Sequence, residues 1–430
     1  MVRATIHLGS ERTIAGAGGW RYTAPMRSVL GWIAVVMCAG STLAVAEPGG
    51  REAEVGPRFV SIGRDALDAA LAVAERRGAP LRILDIDADV AVIEVDAGDL
   101  GLLAQEVHAR HDRCGGFVVH DSIGAAIADL PVHAGVAQVR PETDYPLDRA
   151  AAVRAVVPAL DAGRIRDMIR ELSAMPNRYY QSATGAAASI WLRDRWRALS
   201  ARPEVTVELV DHGYAQQSVV LTIPGGARAD EVVVIGGHLD SIAAGGAAST
   251  APGADDDASG IATITEVARV LLARDFRPAR TVQFMAYAAE EVGLRGSQLI
   301  AKDYQRRGVR VVGALQLDMT NYQGSDKDIW LMKDFTSAAQ NGFLIQLIER
   351  YVGATWGLDA CGYACSDHAS WTRAGYPAVL PFEATLTTHN PNIHTPNDTL
   401  AVSGNNANHA AKFAKLAIAY VVEMAQVPAN

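Results

Sequence analysis

The sequence predicts an α/β fold: a mixed, mainly parallel central sheet flanked by helices, preceded by a small α+β unit. Three observations carry that prediction. First, apolar runs such as Val232-Val233-Val234-Ile235 are continuous rather than alternating, as in strands buried on both faces. Second, these runs alternate with segments of helical period, beginning with Ile261, Ile264, Val267 and Leu271. Alternation of that kind favours parallel pairing through right-handed crossovers, which brings the strand ends to one edge. Third, His, Asp and Glu residues crowd those strand ends, and in open α/β sheets that edge is where ligands bind.

Residues 1–46 of the 430 read as an export segment. Arg27 precedes an apolar core, Val29 to Met37, and Ala44-Val45-Ala46 supplies a small-x-small pattern with cleavage expected after Ala46. The residues before Met26 show no helix or strand pattern, so Met26 is an alternative natural start. An uncleaved anchor is the other reading, but the core is short for a span, so no stable membrane anchor is expected. The destination is the periplasm or the medium. A net charge of −9 without a long Lys/Arg run argues against nucleic acid as a partner.

Residues 47–145 form the α+β unit. Strands are expected at Arg58–Ile62, Leu81–Ile86, Val90–Val95 and Phe117–Val119, with helices at Asp65–Arg77 and Leu100–Arg110. Asp99 stands where it could cap the second helix. His108, His111, His120 and His133 are scattered and read as exposed helix or loop positions. By analogy, such a unit in an exported hydrolase is a propeptide that assists folding and covers the site; a permanent accessory domain is the alternative. Pro146 to Arg154 reads as a linker, and 146–430 as the catalytic region. Helical period returns at Ile165, Met168, Ile169 and Leu172, and again at Ile190, Trp191, Leu192 and Trp196. A last helix is expected at 405–426, with no further domain beyond it, and no solenoid repeat is visible.

The chemistry lies in this second region. His238 and Asp240 follow the first strand, and Asp255-Asp256-Asp257 precede its helix. The strand Thr281–Tyr287 leads to Glu290-Glu291, and Val309–Leu317 ends at Asp318. The strand-like run Ala378–Phe382 is followed by His394 in Asn390–Thr395. Each of these alone is more commonly a cap or a surface charge; their recurrence at one edge is the signal. Carboxylates so clustered repel one another unless cations neutralise them. Mixed His and carboxylate ligands suit zinc, with manganese or cobalt open. No G-x-S-x-G, phosphate loop or H-E-x-x-H occurs. The four cysteines, Cys38, Cys114, Cys361 and Cys365, do not form paired C-x-x-C motifs, so a cysteine-based zinc site is not expected. In an exported chain, CGYAC fits a local Cys361–Cys365 disulfide better than a nucleophile.

GGHLDS at 236–241, PGADDDASG at 252–260, MAYAAEEVGLRGSQ at 285–298, ALQLDMTNY at 314–322, CGYACSDHASW at 361–371 and NPNIHTPNDTL at 390–400 closely resemble the secreted bacterial leucyl aminopeptidases, members of the two-zinc exopeptidase family. The resemblance runs in order from about Tyr145 onward. It implies two Zn2+ per chain and a zinc exopeptidase-like fold. Asp256 would bridge the ions, with His238 and Asp318 completing one site and Glu291 and His394 the other. Glu290 would be the general base, and Asp240 would fix the tautomer of His238 from behind. Tyr363 matches a tyrosine that holds the developing oxyanion, and Leu380, Phe382 and Leu386 match the pocket for the substrate's first side chain. Substrates would be peptides or proteins with free N-termini, bulky apolar residues such as leucine being preferred, and the active species a monomer. Leu386 and His389 stand where the family commonly has larger aromatic residues, which implies a wider or more polar pocket. Asp255 and Asp257 are expected to serve as helix N-terminal charges and hydrogen-bond acceptors, and His368 as a structural residue. A carboxypeptidase or glutaminyl cyclase of the same fold is the rival enzyme, and the 361–371 block favours the aminopeptidase. A non-catalytic binding module is opposed by the full set of ligands and base.

Overall fold

The computed structural model describes residues 54–133 and 145–425, so the expected export segment and its cleavage site lie outside the described residues. No helix among the described residues is long and apolar enough to cross a membrane.

The N-terminal unit contains β1 (Pro57–Gly63), α1 (Leu67–Arg77), β2 (Arg82–Ile86), β3 (Val90–Asp96), α2 (Leu100–His111), β4 (Phe117–His120) and α3 (Ile123–His133). Its sheet has the order β2-β3-β1-β4, with every pair antiparallel. Period-two alternation separates the two faces. Val60, Ile62 and Ile93 pack with Val73 of α1 and Leu103 and Val107 of α2, while Val90 and Val92 pack with Ala126 of α3.

Two expectations for this unit are corrected. Asp99 does not cap α2; its carboxylate accepts from Arg77 Nε at 2.6 Å, and Asp96 instead caps the preceding turn through the Gly98 N–H. A charge-assisted bond to an arginine outcompetes a neutral cap. His108, His111 and His120 are not exposed either. His120 is buried against Ser61, His111 bonds Asp68 at 2.6 Å, and His108 is half-buried with its ring 4.4 Å from that of His394. The face of α2 that sequence period leaves to solvent is covered by the second region.

That region begins earlier than a linker reading of 146–154 allows. Ala150–Val156 is already helix (α4), Val153 is fully buried, and the Arg149 N–H donates to Glu423 at 2.9 Å. There follow α5 (Ala162–Ser173), α6 (Ala183–Arg197), β5 (Thr206–Val210), β6 (Ser218–Ile223), β7 (Arg228–His238), α7 (Ala258–Ala273), β8 (Arg280–Tyr287), α8 (Arg295–Arg307) and β9 (Arg310–Gln316). The chain continues through β10 (Ile329–Met332), α9 (Ala338–Leu347), β11 (Trp356–Asp359), α10 (His368–Arg373), β12 (Ala378–Val379), β13 (Pro381–Phe382) and α11 (Ala410–Met424).

The central six-stranded sheet has the order β12-β9-β7-β8-β6-β5. β12, β9, β7 and β8 pair in parallel, and β6 and β5 are added antiparallel, giving the mixed, mainly parallel sheet that the sequence predicts. The run 378–382, expected as one strand, divides at Leu380. Residues 378–379 extend the main sheet on β9, whereas 381–382 pair with β10 in a separate three-stranded sheet, β11-β10-β13. Pro381 lacks the N–H that a continued ladder would use. α7 is buried along nearly its whole length, as a helix apolar on several sides must be. α5 and α6 cover it, and the Trp196 indole donates to Thr265 at 2.8 Å inside that layer.

Candidate metal centre

The centre forms where β7, β8 and β9 end side by side. β7 stops at His238 because Gly236-Gly237 lets neighbouring groups close in: a Cβ at Gly237 would lie 2.9 Å from Asp257 Oδ2 and 3.0 Å from Leu317 O. Asp257 fastens the junction. Its oxygens accept from the Gly260 N–H (2.7 Å), capping α7, from the His238 N–H (3.0 Å) and from the Met319 N–H (3.2 Å). Asp256 precedes it through a cis peptide bond.

The five predicted ligands are brought together there. Asp256 Oδ1 lies 2.9 Å from His238 Nε2, and its Oδ2 lies 3.3 Å from His394 Nε2. Asp318 Oδ1 is 3.5 Å from His238 Nε2, and Glu291 Oε2 is 2.7 Å from His394 Nε2. Asp256 therefore spans two half-sites. Asp257 also comes within ligand reach of His238 and Asp318. With its oxygens taken by three backbone amides, it serves as the acceptor and cap expected of it, and Asp256 is the better bridge. Asp240 sits behind, Oδ1 3.4 Å from His238 Nδ1, and its two oxygens accept the Glu290 and Glu291 N–H groups at 3.0 and 3.1 Å. It thus couples the end of β7 to the glutamate pair.

The residues present fit divalent cations. His238, Asp256, Glu290 and Glu291 are each at most 1% exposed, and among the described residues no lysine or arginine ion-pairs with them or with Asp318. Glu290 Oε1, Glu291 Oε1 and Asp318 Oδ1 are buried without hydrogen-bond partners. Buried carboxylates left unpaired are costly unless a cation takes the place of the missing donors. A donor set that mixes two imidazoles with carboxylates suits zinc.

In the metal-free protein, protons hold the cluster together. Burial opposes the charged form of His394, but Glu291 and Asp256 outweigh it and raise its pKa to about 10. His238 is likewise raised against the effect of burial, chiefly by Asp318 and Glu290. Burial pushes Glu291 up to about 7 and Glu290 well above the carboxylate range. Asp256 goes the other way, because hydrogen bonds from both histidines overcome its desolvation. An imidazolium must lose its proton before its nitrogen can bind a cation. Metal uptake should therefore release protons, and apparent affinity should rise with pH through neutrality. Calorimetric titration at pH 7 in buffers of different ionisation heat should show net proton release; affinity independent of pH would contradict this electrostatic account.

An apolar pocket adjoins the ligands. Leu380, Phe382 and Leu386 line it with Tyr363, Met319 and Ile393, and Asp318 reaches its wall. Cys361 and Cys365 are disulfide-bonded at its side. His389 also lines the pocket, its Nδ1 2.5 Å from Leu386 O. His368 lies away from the ligands, buried with Nε2 3.2 Å from Asp334 O, as a structural residue would be.

Four contributors escape a reading by sequence pattern. Arg178, fully buried, donates to Leu239 O (2.9 Å), Pro252 O (2.5 Å) and Gly253 O (2.9 Å), tying the end of β7 to the loop before Asp255. Asp398, held by Asn390 at 3.0 Å, accepts from the Asp256 N–H at 3.1 Å. Ser366 donates to Asp318 Oδ2 at 2.6 Å. The fourth is Cys114 of the N-terminal unit, whose Sγ stands 3.5 Å from both Glu291 Oε2 and His394 Nε2. No spacing or periodicity marks any of them, since each acts across a long sequence separation.

The model of Peptidase family M28 matches residues 218–421. A relative described as "Probable leucine aminopeptidase" from Arthroderma otae is 33% identical over 306 residues, which cover 70% of this chain and 84% of the relative. Among solved structures, LapB from Legionella pneumophila is 30% identical with a TM-score of 0.74, covering 86% of this chain and 100% of that one. The Legionella pneumophila LapA aminopeptidase is 27% identical with a TM-score of 0.73, covering 86% of this chain and 99% of that one.

Proposed function

The chain belongs to peptidase family M28, and from that premise we propose that it is an exported zinc aminopeptidase releasing N-terminal residues, preferentially bulky apolar ones such as leucine. The observation that carries this reading is the buried cluster in which Asp256 faces both His238 and His394 beside an apolar pocket. His238, Asp256 and Asp318 would hold one zinc, and Asp256, Glu291 and His394 the other. Bound there, two zinc ions supply Lewis acidity and an acidified water.

The protein's own residues supply the rest. Glu290 is the general base. Glu291 lies 2.7 Å from His394, whereas Glu290 makes no ion pair with either histidine and keeps Oε1 unpartnered. It is therefore left to take a proton from the attacking water and return it to the leaving amine. Tyr363, buried at the pocket wall, would donate its hydroxyl to the oxyanion that forms at the scissile carbonyl. Leu380, Phe382 and Leu386 receive the first side chain, whose burial contributes about 1.5–3 kcal/mol for a residue of leucine size. Asp240 positions rather than reacts: Asp240→Asn is expected to lower zinc affinity or kcat by about 10- to 100-fold, checked by zinc titration alongside kinetics. Residues 47–145 we assign as a propeptide that covers the centre.

The substrate test compares Leu-p-nitroanilide with an N-acetylated peptide bearing a free C-terminus, using the chain before and after limited proteolysis within 134–144. Release of p-nitroaniline with the blocked peptide intact supports the aminopeptidase. Cleavage of the blocked peptide alone would replace it with a carboxypeptidase.

A further inference from the structure

Resting on the zinc reading of the centre, we propose that Cys114 is itself a metal ligand. Its thiolate completes the site formed by Asp256, Glu291 and His394, and this sulfur–metal bond keeps the enzyme latent while the N-terminal unit remains in place.

The distances are those of one coordination shell. Cys114 Sγ lies 3.5 Å from Glu291 Oε2, 3.5 Å from His394 Nε2 and 3.7 Å from Asp256 Oδ2. Zinc binds sulfur at about 2.3 Å and nitrogen or oxygen at about 2.0–2.1 Å, so tetrahedral angles place sulfur about 3.5–3.6 Å from each other ligand atom. The distances to Glu291 and His394 match that spacing, and the distance to Asp256 is 0.1 Å longer. Asp256 and His394, at 3.3 Å, match the roughly 3.3–3.4 Å expected between two nitrogen or oxygen ligands. The Glu291–His394 pair, at 2.7 Å, is closer, as two groups sharing a hydrogen bond would be. A site with three protein ligands keeps an open fourth position for water or substrate. Sulfur in that position excludes both.

The local backbone presents the thiol to the centre. Cys114 lies in the turn between α2 and β4, where Asp112, Gly115 and Gly116 have positive φ values of 52°, 57° and 78°. A Cβ on Gly116 would meet Val107 Cγ1 at 2.6 Å, so the turn that carries Cys114 inward is available only to glycine there. The same turn borders the substrate pocket, because Asp112 and Cys114 line the cavity that Leu380, Phe382 and Leu386 line.

The surrounding contacts hold this turn in place. The Arg113 guanidinium lies 5.1 Å above the Tyr363 ring, and Gln105 donates to Ala243 O at 3.1 Å. Arg295 of α8 donates to both oxygens of Glu54 at 2.7 Å. Between them, Leu103, Val107 and Phe117 share one apolar core with Ala288, Ala289 and Val292, the segment just before and after the glutamate pair. On binding, the thiol proton leaves to solvent and the sulfur takes the position a water would hold. No electron is transferred.

The test uses the full chain loaded with cobalt(II) in place of zinc. A thiolate on cobalt gives an intense sulfur-to-metal absorption in the near ultraviolet, which nitrogen and oxygen ligands do not. We expect that band in the wild type and its loss in Cys114→Ala, with two cobalt ions still bound. We also expect full-chain zinc-loaded Cys114→Ser to hydrolyse Leu-p-nitroanilide on the order of tenfold or more faster than the full-chain wild type, as a larger fraction becomes competent. A fully loaded wild type without the band would overturn the proposal, whatever the variants do. Loss of the band with no gain in turnover would overturn the latency it assigns to the bond. A chain that binds no cobalt at all would sink the metal-centre reading instead, so the two failures are distinguishable.

Discussion

Glu290→Gln should lower kcat by about 100- to 10,000-fold while zinc content and KM stay close to wild type. The reasoning is geometric. Glu290 is fully buried at the end of β8, and its N–H is fixed by Asp240 at 3.0 Å. Its carboxylate forms no ion pair with either histidine, unlike those of Asp256, Asp318 and Glu291, so the cation is assigned to those groups. Glutamine keeps the shape and burial but accepts no proton. The neighbouring position should behave differently. Glu291→Gln removes the partner 2.7 Å from His394, and activity should fall together with metal content. Metal analysis and steady-state kinetics on both variants separate the roles. Equal loss of zinc from the two would mean that the adjacent glutamates share one function and that Glu290 is not the base.

Arg178→Met should cost about 2–6 kcal/mol of stability and weaken zinc binding as well. The side chain is fully buried, and burial pulls its pKa down, but Asp398, Asp257 and Asp240 favour the charged form. Methionine fills similar space yet takes a donor from the carbonyls of Leu239, Pro252 and Gly253 and strands the first two, since Gly253 O also accepts from the Ala258 N–H at 3.1 Å. Each buried acceptor left unsatisfied costs about 1–3 kcal/mol. Two of the three lie in the loop immediately before Asp255-Asp256-Asp257, so slack there should misplace the bridging carboxylate. Denaturant midpoints give the stability loss, and zinc titration of the folded variant gives the second effect. A large stability loss with unchanged zinc affinity would limit Arg178 to a structural role.

The candidate ligands are legible in the sequence because they coincide with secondary-structure punctuation. Val232–Ile235, Thr281–Tyr287 and Val309–Leu317 are apolar runs that stop shortly before His238, Glu290 and Asp318. Parallel pairing of β7 with β8 and β9 then converts sequence order into a shared edge. Nothing comparable announces Arg178, Asp398 or Ser366. Their work is to satisfy backbone and carboxylate groups brought near only by folding, and any polar residue type in any loop could do it. The splitting of 378–382 between two sheets was hidden for a similar reason, since an apolar run does not say which partner each residue will find. His108 and Cys114 were the least legible. The helical period of α2 marks one face as exposed, but that face meets the catalytic region, where His108 stacks near His394 and the following turn delivers the thiol.

The most direct test of the two-zinc aminopeptidase is zinc titration of the chelator-treated, proteolytically processed chain, with Leu-p-nitroanilide hydrolysis followed at each addition. The geometry in which Asp256 faces both half-sites predicts activity that climbs until about two zinc ions are bound per chain and then levels off. Full zinc loading without turnover of any substrate bearing a free N-terminus would contradict it.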